Sequence, residues 1–332
     1  MLEHGGNLQA AMARFTRAHS EWIDLSTGIN PQMFPVPVMP AEAWHRLPEP
    51  MPALTVVACQ YYRAPAMLPV AGTQAAIQAL PQLRAHSRVV VVAPMYAEHA
   101  HQWRRAMHDV REVSYTEIEA AVDNCDVLVL CNPNNPTGTL IAPEVVLRWA
   151  DRLAARGGWL IVDEAFCDTE PASSVAYCSD RAGLIVLRSV GKFFGLAGLR
   201  LGFVAAERSI LSALEECLGP WSVSGPAQQI GCAALSDVVW QTAMRAQLSE
   251  AGLRLQRLLA DRAIASSGTA LFQWWPESDA AACRQHFAEA GIWVRLFING
   301  AGGIRLGLPP DEAAWQRLDE ALAAWTAKKG MG

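Results

Sequence analysis

Four short runs of apolar residues recur along the chain, and longer helical patterns separate them. The runs are RVVVVA (88–93), DVLVLC (126–131), WLIV (159–162) and LIVL (184–187). None of them alternates polar with apolar residues, which is typical of strands that are covered on both faces. The alternation of such strands with helices predicts an α/β fold with a mostly parallel, doubly wound sheet.

The pattern changes along the chain and predicts three segments. At 332 residues, 52% of them hydrophobic, the chain is long enough for one large core and a smaller one. After about residue 235 a long helical pattern precedes shorter strand-like pieces. We therefore expect an N-terminal segment over 1–30, a large domain over 31–235 and a small C-terminal α+β domain over 236–332.

Charge and cysteine usage exclude several classes of protein. The formal net charge is −5 and no basic run is present, which argues against a nucleic-acid partner. No two of the eight cysteines have the CxxC spacing of a zinc half-site, so they are interpreted as free thiols in a reducing compartment. Without a signal-peptide pattern or an apolar run of about 18 residues, the sequence predicts a cytoplasmic protein with no membrane partner.

Common site motifs are absent from the sequence. A Walker A loop that ends at Lys192 would need glycine at 186, where Val186 stands, and neither GxGxxG after a strand nor GxSxG occurs. His99 and His101 are close together, but the sequence offers no convincing further ligands. They are interpreted as ordinary solvent-facing histidines, and no metal site is predicted.

Polar residues follow the predicted strands at the points where the strands end. Asn135 lies in the NPNNPTG loop after one strand, Asp163 follows the next, and Ser189 and Lys192 follow the third. Earlier in the chain, 72–74 (GTQ) opens a predicted helix. Ligands of open α/β sheets bind outside the carboxyl ends of the strands, so these groups are expected in one crevice.

This set of groups suits pyridoxal phosphate. That cofactor needs a lysine amine for a Schiff base, a carboxylate beside its pyridine nitrogen and a cup for its phosphate. A helix N-terminus after Gly72, Thr73 and Gln74 can bind a phosphate, and Ser189 and Arg200 can add a hydroxyl and a charge. Each group alone also has an ordinary explanation as a turn, a helix cap or a chance match. Their combination favours the cofactor.

Three blocks resemble the signature of fold-type I, pyridoxal-phosphate-dependent aminotransferase-like enzymes. They are Asn135-Pro136-Thr137-Gly138, Asp163-Glu164-Ala165 and Ser189…Lys192…Arg200, and Asn135, Asp163, Lys192 and Arg200 follow one another at intervals of 28, 29 and 8 residues. The resemblance implies a Schiff base at Lys192, pyridine pairing by Asp163 and a ring-oxygen contact from Asn135. It also implies a homodimer.

The same resemblance assigns further residues around the cofactor. Gly72 and Thr73 would join Ser189 and Arg200 around the phosphate, with Gln74 beside them. Tyr96 falls where the family stacks an aromatic side chain on the ring, although an ordinary core tyrosine is the alternative.

Substrate contacts are implied at both ends of the chain. Arg305, in GIRLG, falls where the family holds the substrate carboxylate, and an arginine suits bidentate carboxylate binding. Arg295 would contact a distal phosphate, with a surface ion pair as the alternative. The stretch HGGN at 4–7 and LSTGINP at 25–31 resemble the branch that decarboxylates threonine phosphate, a phosphorylated amino acid, in cobalamin biosynthesis. There the N-terminal segment forms an arm over the active site, which makes His4, Gly6 and Asn30 substrate-contact candidates, together with Asn135.

Two departures from the family pattern leave alternatives open. Phe166 stands where many relatives have a tyrosine that bonds the cofactor ring oxygen. Leu47 stands where relatives often have a tyrosine that reaches the phosphate of a neighbouring subunit, so that contact is in doubt although a dimer is still expected. The motifs leave a histidinol-phosphate-type aminotransferase and a cofactor-binding non-enzyme of the same fold as alternatives to the decarboxylase.

Overall fold

The computed structural model describes residues 4–298 and 302–330. The chain divides into two compact units. The large unit comprises Met33–Asn135 and Leu140–Thr242, and the small unit comprises Met1–Gln32, Pro136–Thr139 and Ala243–Gly332.

Thirteen strands lie in the described ranges. In chain order they are β1 (Ile23–Asp24), β2 (Met67–Val70), β3 (Arg88–Val92), β4 (Asp109–Val113), β5 (Val127–Cys131), β6 (Trp159–Asp163), β7 (Leu184–Ser189), β8 (Gly202–Ala205), β9 (Ser267–Thr269), β10 (Phe272–Pro276), β11 (Ile292–Trp293), β12 (Arg295–Phe297) and β13 (Gly303–Gly307). Seven of them form the sheet of the large unit, in the order β2-β8-β7-β6-β5-β3-β4. Strand β8 runs antiparallel to β2 and β7, and the other neighbours are parallel. The predicted mostly parallel sheet is confirmed.

Twelve α-helices accompany these strands in the same ranges. They are α1 (Leu8–Phe15), α2 (Glu42–His45), α3 (Pro52–Tyr62), α4 (Thr73–Ala79), α5 (Glu98–Arg105), α6 (Ile118–Ala121), α7 (Pro143–Ala154), α8 (Arg208–Leu218), α9 (Gly225–Ser236), α10 (Val238–Ala260), α11 (Ala280–Glu289) and α12 (Glu312–Gly330). Helix α7 shows why these segments form helices. Proline stands at its first turn, and its buried residues Val146, Trp149, Ala150 and Leu153 recur at helical spacing along one face. No helix in the described part of the chain is both long and apolar enough to cross a membrane.

Strands β5 and β7, near the middle of the sheet, are buried along their whole length. All five residues of β5 are buried, as the unbroken apolar run predicted. The predicted strand over 126–131 begins one residue before the observed strand, because Asp126 precedes β5. Asp126 forms an ion pair with Arg88, with 2.8 Å between Oδ1 and Nη2. Hydrogen bonding from Arg88 lowers the pKa of Asp126 to about 2.

Strand β7 continues beyond the predicted apolar run, through Arg188 and Ser189. Arg188 is buried, and its guanidinium pairs with Glu164 (2.6 Å) and Asp168 (3.1 Å), which are also buried. The hydroxyl of Tyr61 donates to Asp168 at 2.9 Å. A buried charge is tolerated only when it is paired in this way, and the pairing lets the strand carry an arginine into the interior.

The small unit contains two further sheets. One is antiparallel, in the order β12-β13-β10-β9, and places Arg295 opposite Arg305. The other joins β1 to β11 in parallel, with Ile23 opposite Ile292. The N-terminal part of the chain is therefore paired by backbone hydrogen bonds to its C-terminal part.

Candidate active site

A cavity in the large unit opens where β5, β6 and β7 end. It is lined by Gly72, Thr73, Gln74, Tyr96, Cys131, Pro133, Asn135, Asp163, Ala165, Phe166, Ser189, Gly191, Lys192, Ala197, Arg200 and Leu201. All nine residues that the sequence assigned to cofactor binding are in this set. Parallel neighbours bring the carboxyl ends of their strands to one edge, which is why residues far apart in sequence meet here.

One side of the cavity is formed by close backbone contacts around Gly72 and Arg200. Gly72 has φ +74° and precedes α4, which begins at Thr73. A Cβ atom at residue 72 would stand 2.5 Å from Nη2 of Arg200, and one at Gly202 would stand 2.7 Å from the backbone nitrogen of Thr73. Glycine at these positions leaves room for backbone N–H groups and a guanidinium to approach the same anion.

Replacing Gly72 by alanine is expected to weaken the binding of pyridoxal phosphate at least about tenfold, since the new methyl group must displace the Arg200 guanidinium that would pair with the phosphate. Titration of the apoprotein with the cofactor, followed by absorbance, measures the effect. Gly157→Ala is the matched control, because Gly157 also has positive φ (+67°) but has nothing within 4 Å of its would-be Cβ. Equal losses of affinity in both variants would contradict the assignment.

Ser189 and Lys192 are joined by a tight turn after β7. The Ser189 hydroxyl accepts a hydrogen bond from the backbone nitrogen of Gly191 at 3.1 Å. A Cβ atom at residue 191 would lie 3.2 Å from the Cα of Ala197, so the turn is closely packed. Lys192 is partly buried, with Nζ 5.4 Å from the centre of the Phe166 ring. The only other lysines in the sequence are Lys328 and Lys329, near its C-terminus.

Asp163 is buried at the end of β6 and has two different partners. Its Oδ2 lies 2.9 Å from Nε2 of His99, and its Oδ1 accepts from the backbone nitrogen of Ala165 at 3.0 Å.

The prediction that His99 faces solvent is wrong. Its side chain is 2% exposed, because α5 turns this position towards the sheet. His101, two residues on, is exposed as predicted. Trp103, four residues after His99 and also buried, is the sequence signal that could have located this face.

Cys131 belongs to the same cluster. Potential ligand atoms of His99, Cys131 and Asp163 lie within 4.8 Å of one another, and all three residues are buried. Burial raises the pKa of the Cys131 thiol well above its usual value. Sequence spacing did not reveal this cluster because its members come from α5, β5 and β6.

Tyr96 and Gln74 are linked across the cavity wall. The Tyr96 hydroxyl donates to Oε1 of Gln74 at 3.2 Å, and the Gln74 amide donates to Glu98 at 2.8 Å. Burial raises the pKa of Tyr96 to about 12, so its phenol is neutral at physiological pH.

The loop that carries Asn135 is anchored by the side chain of Asn132. Its Oδ1 accepts from the backbone nitrogen of Ile141 at 2.8 Å, and its Nδ2 donates to the backbone carbonyl of Ile141 at 3.0 Å.

The remaining predicted substrate contacts belong to the small unit. Arg305 is buried, and its Nη2 donates to the carbonyl of Ser26 at 2.6 Å. Burial and the neighbouring Arg295 lower the pKa of Arg305 to about 9, so a bound anion would relieve an unfavourable charge there. Asn30 is buried and accepts from the backbone nitrogen of Gln32 at 2.8 Å, whereas His4 is exposed. Gly6 donates its backbone N–H to the Ser26 hydroxyl at 2.7 Å.

Comparison with known proteins agrees with this geometry. The family model described as aminotransferase class I and II matches residues 22–306. The chain belongs to this family. It is 52% identical to the threonine-phosphate decarboxylase of Pseudomonas aeruginosa over 97% of both chains, and 41% identical to that of a Sinorhizobium species over 96% of this chain and 97% of the relative. The crystal structure of histidinol-phosphate aminotransferase from Sinorhizobium meliloti, in complex with pyridoxal-5'-phosphate, has a similar fold, with a TM-score of 0.82, 19% identity and coverage of 98% of this chain and 96% of that one.

The cavity of this class I and II aminotransferase family member fits pyridoxal phosphate. It combines an amine, a buried carboxylate and a recess at Gly72 that any Cβ atom would fill. Asp163 is held by His99 and by a backbone N–H, which leaves its position on the cavity wall well defined. The donors around Thr73, Ser189 and Arg200 suit a phosphate group.

Proposed function

We propose that this protein decarboxylates L-threonine O-3-phosphate to (R)-1-aminopropan-2-yl phosphate and CO2, in cobalamin biosynthesis. It is a pyridoxal-phosphate-dependent carboxy-lyase. The full-length similarity to the Pseudomonas aeruginosa enzyme carries this proposal. The cavity supports it, because it joins a lysine and a paired aspartate to a recess for a phosphate.

Residues of the large unit would bind the ring and the phosphate of the cofactor. Pyridoxal phosphate, when bound, accepts the electron pair that the departing carboxylate leaves on the substrate. Asp163 would place its carboxylate beside the pyridine nitrogen, which needs an anionic partner to stay protonated, and Asn135 would hydrogen-bond the ring oxygen. Tyr96 would pack against the ring, while Gly72, Thr73, Gln74, Ser189 and Arg200 would surround the phosphate.

Two arginines hold the substrate by its anionic ends. Arg305 binds the carboxylate, and Arg295, helped by His4, binds the substrate phosphate, with Gly6 and Asn30 nearby. With both ends held, the bond from Cα to the carboxylate is presented for cleavage. That bond breaks, CO2 leaves, and the protonated amine of Lys192 supplies the proton that Cα requires.

Release of CO2 from threonine phosphate, without any keto acid, tests this function. The purified protein, supplied with pyridoxal phosphate, should release one CO2 for each aminopropanol phosphate formed. A parallel reaction with histidinol phosphate and 2-oxoglutarate should transfer no amino group. Amino transfer without CO2 would identify an aminotransferase. A protein that neither releases CO2 nor transfers an amino group would be a non-enzyme of the same fold.

We also propose that the protein is a cytoplasmic homodimer. Large apolar side chains are exposed on the large unit around α2, α3 and α9, among them Trp44 (70%), Leu47 (65%) and Trp221 (58%). Helices α2 and α3 both pack against α9. An apolar area of this kind is a typical protein interface. Sedimentation should give twice the chain mass of 36.0 kDa.

All eight cysteines are free thiols, which suits the cytoplasm because it is a reducing compartment.

A further inference from the structure

The glycines of the N-terminal HGGN stretch pack against one buried residue, Ser26. The backbone N–H of Gly6 donates to the Ser26 hydroxyl at 2.7 Å. A Cβ atom at Gly5 would stand 2.4 Å from the carbonyl oxygen of Ser26. Gly6 has φ +81°, a conformation that favours glycine. A side chain at residue 5 would therefore push the turn away from Ser26, and a side chain at residue 6 would strain the backbone conformation of the turn.

Ser26 also contacts the arginine assigned to the substrate carboxylate. Its carbonyl oxygen, the atom that Gly5 approaches, accepts from Nη2 of Arg305 at 2.6 Å. Its backbone nitrogen and its hydroxyl both donate to Oδ1 of Asp24, at 2.8 and 2.5 Å. Ser26 is 1% exposed and Arg305 is 4% exposed, so this link is shielded from water.

The contact with Ser26 restrains the orientation of the Arg305 guanidinium. A guanidinium is planar, and its donors point in fixed directions within that plane. A short hydrogen bond at Nη2 restricts rotation of the plane about the side chain, and the ring of Phe272, 5.1 Å from Cζ, packs against it. Asp24 holds Ser26 through its backbone nitrogen and hydroxyl, and the Ser26 carbonyl oxygen lies against Gly5. A shift of this carbonyl would therefore rotate Arg305.

We propose that the Gly5–Gly6 turn is a positioning element that acts through Ser26 to orient Arg305 towards the carboxylate of the substrate. This inference rests on the proposed function and adds a role for the N-terminal glycines. Neither glycine needs to touch the reacting atoms for this role. The predicted signature is selective: ligands with a carboxylate should depend on the turn, and ligands without one should not.

The test compares Gly5→Ala with Gly302→Ala. Residue 302 lies three residues before Arg305, and a Cβ atom there meets nothing within 4 Å. In Gly5→Ala the KM for threonine phosphate should rise about tenfold, the size expected when one charge-assisted interaction is weakened. The inhibition constant of aminopropanol phosphate, the product, should stay within twofold of the wild type because the product has no carboxylate. Gly302→Ala should change neither constant.

Two outcomes would overturn the proposal. One is a KM in Gly5→Ala within twofold of the wild-type value. The other is a parallel rise of KM and of the product's inhibition constant, which would indicate a general disturbance of the substrate site. Ser26→Ala, which removes the hydroxyl acceptor of Gly6 but keeps the carbonyl, provides a second variant and should raise KM in the same selective way. If the wild-type protein releases no CO2, the proposed function fails independently of the role of the turn. The role of the turn is then tested by calorimetry, which compares the dissociation constants of threonine phosphate and aminopropanol phosphate for wild type and Gly5→Ala.

Discussion

Lys192→Ala is expected to lower the rate of CO2 release at least about a thousandfold, because one amine both holds the cofactor and returns the proton to Cα. Lys192 is the only lysine among the residues that line the cavity. Lys192→Arg keeps the positive charge and should be as inactive, since a guanidinium neither attaches to the cofactor nor gives up its proton readily. Rates of CO2 release and the visible absorbance of the purified variants measure both effects.

The sequence contains only three lysines, so the residue that binds the cofactor can be identified directly. Lys329 belongs to the small unit, where its Nζ pairs with Glu277 at 2.6 Å. Lys329→Ala should therefore retain wild-type activity. After borohydride reduction, mass spectrometry should find the cofactor on the peptide that contains Lys192. An adduct at Lys328 or Lys329, or an active Lys192→Ala variant, would contradict the assignment.

The sheet and the cofactor side of the cavity could be predicted because local patterns determine them. The run at 127–131 is apolar at every position, so burial on both faces follows from the sequence alone. Residues just after such strands converge at one edge of the sheet, regardless of the conformation of the connecting loops. Asp163 and Ser189, each the last residue of its strand, could therefore be placed together with Lys192 from the sequence.

Contacts that depend on packing between distant segments could not be predicted. His99 lies on a short helix in which exposed and buried positions alternate closely, and only tertiary packing decides that it meets Asp163. The bond from Arg305 to Ser26 spans 279 positions in the sequence. Arg188 is a charged residue that no hydrophobic pattern would place in a strand, and its burial depends on two carboxylates from a different segment.

Asp163→Asn is expected to lower kcat about 10²- to 10³-fold, the effect of removing one member of a buried charge pair. Asparagine has nearly the same shape as aspartate, so the cavity should keep its form. It has no negative charge, however, and cannot stabilise a proton on the pyridine nitrogen. The ring then accepts the electron pair from Cα less well, whereas the binding of the cofactor phosphate depends on other residues. Steady-state rates and a cofactor titration separate the two effects.

Asp126→Asn is the matched control for this prediction. Asp126 precedes β5, whereas Asp163 ends β6, so the two aspartates lie at opposite ends of neighbouring strands. Asp126 pairs with the exposed Arg88, and its loss should cost little stability and no activity. If Asp163→Asn retained activity within fivefold of the wild type, the ring would not need a charged partner. The buried contact between His99 and Asp163 would then have a structural role only, since its effect on catalysis depends on the carboxylate that it holds in place.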